Sequence, residues 1–459
     1  MSSEFTSPIN ESGLLNKSYG SILRVALPLM LSGFIQSVLS MTDAHFLADY
    51  SQMAYAASGS AGLWYITLHM AFIGMADGAQ ILMAKRIGQQ DPVGVARVFQ
   101  SAFVNFIVIA VLLTIVIHIV VPYLLHFMVT NNGLAEAELS FLKIRGYAFW
   151  ASIVTMTIQS TYMATGRTSV VLISAAIVAG SNILFAWLLV FGFWNVAPMG
   201  LEGAALASTL AEILGMLFLL GTLLNGKLRH SYPFWKQRLV NRAQITENIK
   251  VGFPLMLQGM VALSVWTVFF IWIEQMGSHD LTVSLNIRYI YFLAFIPIWG
   301  FASATKTYIA QAIGAKDYQS LPVIQRRIQL LTVGFLFLSF HGAVFYPEKL
   351  IWLVNKNPDT IAESATILRI ISGSILVYGL SSVYFQTVSA SGNTRVTFII
   401  ECICTFLYIL AAYLLIKVWE APLHLVWLVE YVYFITMGVC SFGYLKLFNW
   451  TKEIKPIDY

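Results

Sequence analysis

The sequence predicts an all-α polytopic membrane protein of about twelve transmembrane helices, in two parallel six-helix repeats (an N-lobe and a C-lobe) around a central cavity. Three observations predict it. Of the 459 residues, 58% are hydrophobic and 11% charged, against about 25% charged in soluble domains. Apolar windows long enough to cross a bilayer as helices recur about twelve times. Segments of the first half of the chain reappear in the second at one constant offset, which carries Pro28 onto Pro254. A fixed offset is the mark of an internal repeat.

In order, the apolar windows cover residues 22–46, 57–84, 98–124, 138–163, 169–193 and 201–224. They resume at 250–275, 282–312, 325–347, 362–390, 396–418 and 422–447. The one long polar interruption, NGKLRHSYPFWKQRLVNRAQITEN, is basic and falls mid-chain. The expected organisation is an N-lobe over 1–224, a basic cytoplasmic linker over 225–249 and a C-lobe over 250–459. The opening MSSEFTSPINESGLLNK lacks the basic region and cleavage site of a signal peptide, so the first span is expected to stay uncleaved. With the N-terminus inside, about 20 of the 27 Lys and Arg residues fall on the inner side, among them Arg86, Arg167, Lys236, Arg238, Lys452 and Lys455. Both termini are therefore expected in the cytoplasm, as an even number of spans requires, and the expected location is the cell inner membrane.

Four matches carry the repeat. ALPLML (26–31) falls on GFPLML (252–257), which sets Pro28 on Pro254. GMADGAQILMAKRIGQQD (74–91) falls on GFASATKTYIAQAIGAKD (300–317). Gly166 and Thr168 fall on Gly392 and Thr394, and FLKI (141–144) falls on ILRI (367–370). Six spans per half make the repeats parallel, and two such bundles rocking about a cavity form an established transport architecture.

Other classes fare worse. A net charge of +5 reads as basic loops on one membrane face rather than nucleic-acid binding. Cys402, Cys404 and Cys440 lie in apolar runs, without zinc spacing or a disulfide framework. The eight histidines are scattered, so the convergent groups of an intramembrane enzyme are missing and the chain is not read as an enzyme. No filter motif or charged ring marks a channel. No cofactor and no resident metal are expected.

The first span holds Pro28, Gln36 and Asp43, with no charged side chain between Arg24 and Asp43. A carboxylate inside a membrane costs about 2.5 kcal/mol or more, so it tends to face a cavity and carry function. The alternative places Asp43 at the water interface.

These residues resemble the multidrug and toxic compound extrusion family over nearly the whole chain. The carriers are Pro28, Gln36 and Asp43 at the family's spacing and the glycine-rich end of the second span running into Ile87-Gly88. TGRTSVVLISAAIVAGSNILFAWLLVFG (165–192), GLEGAALAST (200–209) and AQAIGAKD (310–317) carry it too. The resemblance implies a cation-coupled antiporter with two six-helix lobes. It implies an ion-coupling site at Asp43 and Asn182, with Ser208 or the adjacent Thr209 lining it and Gln36 on the same span. The coupling ion is H+ or, with Asp43 and Asn182 as ligands, Na+. The chain departs from the family where one branch carries an acid after the asparagine (here Ala186) and where others carry acids in the seventh and tenth spans (here Ala262 and Leu380).

Further polar and aromatic residues are substrate-cavity candidates. Asp77 either lines the lower cavity or lies at the interface. Glu430 stands among Trp427, Tyr431 and Tyr433. Trp64, Trp266, Phe269, Tyr378 and Tyr384 offer ring faces to a bulky organic cation, or simply pack. Phe269 occupies the repeat position of Asp43, and Tyr408 that of Asn182. This suggests ion handling in the N-lobe and substrate contacts in the C-lobe. The expected function is secondary active export of organic cations or amphipathic drugs, coupled to H+ or Na+ entry by alternating access. The alternative is a flippase for a lipid-linked or amphiphilic substrate. The expected partners are the lipid bilayer and a small amphipathic or cationic substrate, with no nucleic acid, and the chain is expected to be a monomer.

Overall fold

The computed structural model describes residues 14–128, 132–193, 197–235, 240–448 and 450. The basic residues Lys236, Arg238, Lys452 and Lys455 and the two chain termini lie outside them. The regular elements among the described residues are helices, without a β-strand. The first half runs α1 (Tyr19–Tyr50), α2 (Gln52–Gly88), α3 (Pro92–Ile115), α4 (Val121–Met128), α5 (Asn132–Gly146), α6 (Ala148–Ala164), α7 (Ser169–Phe191) and α8 (Gly200–Asn225). A short α9 (Lys227–Ser231) follows. The second half runs α10 (Arg242–Glu274), α11 (Ser278–Gly314), α12 (Leu321–Phe340), α13 (Gly342–Phe345), α14 (Pro347–Val354), α15 (Pro358–Ala390), α16 (Thr394–Tyr413), α17 (Leu423–Val426) and α18 (Val429–Leu447). Residues 116–120 and 414–418 are single wider turns that prolong α3 and α16.

Among the described residues, eleven helical stretches are long and apolar enough to cross a membrane. The twelfth predicted window, 138–163, is two helices rather than one. The ladder breaks at Tyr147, whose amide donates to the Ile144 carbonyl (3.2 Å) in a tighter turn. Upstream of the break, α5 buries Glu138 and Arg145.

The repeat is visible in the structure. α2 and α11 begin and end at equivalent repeat positions, Gln52 on Ser278 and Gly88 on Gly314. The loops after them repeat a backbone that non-glycine residues seldom adopt, with φ of 55° at Gln90 and 58° at Lys316. Asp91 then caps α3 by accepting from the Gly94 amide (2.7 Å), and Asp317 accepts from the Ser320 amide (3.3 Å).

Two compact units divide the chain, one of residues 31–256 and one of residues up to 30 together with 257–459. Each boundary falls just after an in-helix proline, Pro28 or Pro254. The opening part of α10 therefore belongs to the unit built from the first repeat, and the opening part of α1 to the other. Small residues make this packing close. A Cβ on Gly74 would sit 2.3 Å from the Met256 backbone, and one on Gly78 would sit 2.6 Å from Gly252. In the other unit, a Cβ on Gly300, the repeat mate of Gly74, would meet Met30 at 2.5 Å. Helices in lipid associate by such backbone approach. Gly78→Leu is expected to destabilise the protein by about 3 kcal/mol, the upper part of the overpacking range. Gly59→Leu on the same helix, where nothing lies within 4 Å, should leave thermal unfolding unchanged, and equal behaviour of the two variants would contradict the packing argument.

The segment before α1 is fixed to the second repeat's loop. Lys17 pairs with Asp317 and donates to the Ser320 hydroxyl (2.7 Å), while Arg327 donates to the Lys17 carbonyl (2.6 Å). The Lys17 ammonium beside it, more than the Ser320 donors, holds the Asp317 carboxyl below the usual carboxylate range. A carboxyl depressed in the folded state stabilises at pH above its unfolded value and loses that contribution as pH falls through the folded value. The melting-temperature difference between wild type and Asp317→Asn is thus expected at pH 7 and should shrink progressively as pH falls below the ordinary carboxyl value of about 3.9. A difference independent of pH would show that the ion pair is not its source.

Candidate functional site

Asp43 lies half-buried on α1, and Asn182 lies fully buried on α7. The Asn182 Nδ2 group donates to both carboxylate oxygens of Asp43, at 3.2 and 2.9 Å. The Asn182 Oδ1 accepts from the Ser208 hydroxyl on α8 (3.4 Å). Three helices thus place one polar chain, hydroxyl to amide to carboxylate, with the carboxylate as the terminal acceptor. Thr209 faces elsewhere, its hydroxyl donating to the Ala205 (2.9 Å) and Ile144 (3.3 Å) carbonyls. Gln36 is exposed on α1. One turn along from Asp43 and Asn182 stand Leu47 and Ala186, both in an apolar cluster with Val190, Leu201 and Ala204. Apolar packing occupies the place where one family branch carries a further acid.

A second buried polar group in the same unit was not singled out by sequence reasoning. Arg145 on α5 donates through Nη2 to the Glu212 carboxylate on α8 (2.6 Å), and its guanidinium lies 4.1 Å from the centre of the Tyr65 ring. The Tyr65 hydroxyl donates to Glu212 at 3.5 Å. His69 and Phe149 stack on Tyr65 with centroids at 5.6 and 5.2 Å. Arg145 also acts electrostatically on Asp43. The only sequence signal was a pair of opposite charges in two spans far apart in the chain.

In the second repeat, the structure brings Glu430, Trp266 and Tyr378 together. Glu430 on α18 is 2% exposed. It accepts from Trp266 Nε1 (3.3 Å) and Tyr408 (3.0 Å) on one oxygen and from Tyr291 (3.1 Å) on the other. Glu430, Trp266 and Tyr408 border a cavity of about 220 Å³ that Phe292, Phe295, Trp299, Tyr378, Tyr433 and Phe434 also line. Tyr433 donates in turn to Glu401. Phe269 does not line the cavity. It is fully buried, packed edge-on against Tyr408 and Trp427 with centroids at 5.4 and 5.6 Å. The repeat positions of Asp43 and Asn182 are therefore in contact here too, as an aromatic pair. Tyr384 packs against Phe442 (5.3 Å), Trp64 is half-buried on α2, and Asp77 is half-buried further along it.

A duplicated six-span bundle with a hydrogen-bonded acid in its first helix defines a polytopic membrane protein of the repeat-built transporter class. The MatE family model matches residues 28–188 and again 254–414, and the chain belongs to the MatE family of membrane transporters. The first match opens on Pro28 and the second on Pro254, the register of the sequence repeat. The chain is similar to the probable multidrug resistance protein NorM of Brucella suis biovar 1 (strain 1330), 24% identical over 332 residues, 71% of this chain and 70% of that one. It is also similar to the probable multidrug resistance protein NorM of Thermotoga maritima, 22% identical over 423 residues, 89% and 88% of the two chains. A crystal structure of a MATE protein in a straight conformation superposes with a TM-score of 0.85 at 16% identity, over 97% of this chain and 98% of that one. A MOP superfamily transporter from Pyrococcus furiosus Vc1 (DSM3638) gives 0.82 at 16% identity over 97% and 98%. These likenesses establish the fold, and the expected two-repeat architecture holds.

Proposed function

We propose that this transporter exports amphipathic or cationic drugs in exchange for protons, by alternating access, with Asp43 as the coupling carboxylate. The observation that carries the reading is the bonding of both Asp43 oxygens to the Asn182 amide. In this geometry Asp43 acts only as an acceptor, which is the ionised state. Protonation turns one oxygen into a donor, and while the other keeps accepting from the amide N–H, the new donor competes for the amide oxygen. That oxygen serves the Ser208 hydroxyl, so a proton on Asp43 re-forms the contacts among α1, α7 and α8. A local charge change that biases one packing of helices over another is the general form of such a switch. Sodium instead asks for several converging oxygens. Here the amide oxygen is turned to Ser208, and Ala186 replaces a second carboxylate. The similar proteins named for multidrug resistance support a drug-sized substrate. The excess of Lys and Arg in alternate loops supports an inner-membrane location with both termini cytoplasmic. The flippase reading draws less support, because the buried Arg145 is committed to Glu212.

The test is uptake of a fluorescent organic cation into inverted membrane vesicles, with an acid-inside pH gradient or a sodium gradient imposed separately. Uptake driven by the pH gradient in wild type and lost in Asp43→Asn supports the reading. Uptake driven by sodium alone, or proton-driven uptake that survives Asp43→Asn, refutes it.

A further inference from the structure

The two repeats differ where α6, α7 and α8 end beside α9. In the first repeat, Tyr162, Arg167, Phe218, Gly221, Thr222 and Lys227 line a cavity of about 570 Å³. In the second, the corresponding side chains meet one another. Asn393, in the position of Arg167, donates to the hydroxyl of Tyr444, in the position of Phe218 (3.1 Å). Phe448, in the position of Thr222, stacks on Tyr444 with centroids at 5.3 Å. Leu447 stands where the first repeat has Gly221, and the fully buried Val388 where it has Tyr162. The first repeat therefore has space where the second has bulk, and a cation and a phenol where the second has an amide and an alkyl group.

The cavity is charged in one sense. Its lining holds Arg167 and Lys227 and no acid, and among the described residues neither cation forms an ion pair. Tyr162 points the same way. It is 3% exposed, and its hydroxyl stands 4.0 Å from where a Cβ on Gly226, at the cavity wall, would sit. That hydroxyl has no hydrogen-bond partner among the described residues, although buried polar groups ordinarily have one. On the outer side, Leu214, Leu217 and Leu224 are exposed. With Gly221 they lie at helical spacing on one face of α8. Two unpaired cations above an apolar wall, at the end of three spans, fit a molecule with an anionic head and a hydrocarbon tail. Basic pockets between helices at a membrane surface are known receptors of anionic lipid head groups. We propose that this cavity binds one anionic phospholipid, its phosphate held by Arg167, Lys227 and the Tyr162 hydroxyl and an acyl chain running past Gly221 along α8. A free phosphate would engage the cations and leave the apolar wall unused, which favours the lipid. The proposal goes beyond the exporter reading, since this binding needs neither a gradient nor Asp43.

The experiment is native mass spectrometry of the full-length protein in a non-ionic detergent. It is titrated with dioleoyl phosphatidylglycerol and, separately, with dioleoyl phosphatidylcholine, whose head group is neutral overall. One phosphatidylglycerol is expected to bind at least about tenfold more tightly than phosphatidylcholine. Arg167→Gln and Lys227→Gln should each weaken it by about fivefold, the share of one cation beside a lipid phosphate. Gly221→Leu installs the second repeat's residue at a position where a Cβ meets nothing within 4 Å. It alters no charge, should leave the melting temperature unchanged and should abolish the preference for phosphatidylglycerol. That variant separates the cavity from the general attraction of a basic surface, and it carries the test if a charge variant fails to fold. Asp43→Asn should bind the lipid as wild type does, which separates this proposal from the coupling role of Asp43. Equal binding of the two lipids, or a preference that survives Gly221→Leu, would overturn it. So would displacement of phosphatidylglycerol by glycerol 3-phosphate at equal concentration, the mark of a site for soluble phosphates.

Discussion

In inverted vesicles held about one pH unit more acidic inside, Asp43→Asn is expected to accumulate no more fluorescent cation than vesicles lacking the protein. Wild type exchanging one proton per substrate should sustain about a tenfold gradient, because one pH unit and a tenfold concentration ratio are each worth about 1.4 kcal/mol. The substitution is close to isosteric. The new amide oxygen still accepts from Asn182 Nδ2, now 2.9 Å from the nearer Asp43 oxygen, so folding should persist and drug binding at equilibrium should change little. What is lost is the second charge state. A folded variant that binds drug but dissipates no proton gradient is the expected phenotype. Proton-coupled transport at the wild-type level would place coupling at another group.

Breaking the Arg145–Glu212 pair should have a large effect on stability. Arg145 is 7% exposed, and removing one member of a buried pair costs about 3–5 kcal/mol, because the survivor is left charged in a poor solvent. The Glu212 side chain is 29% exposed, so the lower end, about 3 kcal/mol, is expected for Arg145→Met. Arg145→Met combined with Glu212→Gln removes both charges and should recover most of that loss, since well-packed neutral replacements for buried pairs are often tolerated. Denaturation of the purified variants, read as a double-mutant cycle, measures the coupling. Additive losses, with the double variant least stable, would mean that the two side chains act independently. The same double variant tests whether Arg145, which acts electrostatically on Asp43, tunes the proton affinity of transport.

The architecture was legible because hydrophobic length and a constant repeat offset are properties of the chain itself. Asp43 and Asn182 were legible through family spacing, and their contact follows from helices that the repeat already orders. The Arg145–Glu212–Tyr65 group was not. Its members come from the fourth, sixth and second spans, and apolar windows specify neither how a helix is rotated nor how deep a residue lies. Phe269 and Trp266 illustrate the same limit. Both are aromatic residues on α10, yet the first is sealed in the core while the second lines the cavity and binds Glu430. The break at Tyr147 was hidden for a different reason. The window 138–163 is apolar overall although it contains Glu138, Lys143 and Arg145, and hydropathy does not register a break in the backbone ladder at Tyr147. The exchange of helix segments at 30 and 256 was also invisible, because hydropathy does not change across either boundary.

That exchange has a consequence for how the gene can be cut. Severed within the mid-chain linker, the protein would yield two polypeptides, each with one repeat. Neither would hold a complete compact unit, because each would lack the opening segment that belongs to it and would carry one that belongs to the other. A half-length ancestor with this packing would therefore have needed a second copy from the start. Swapping lobes between relatives should then succeed only with junctions just after Pro28 and Pro254, and a junction in the linker should give a chimaera whose opening helices meet foreign partners.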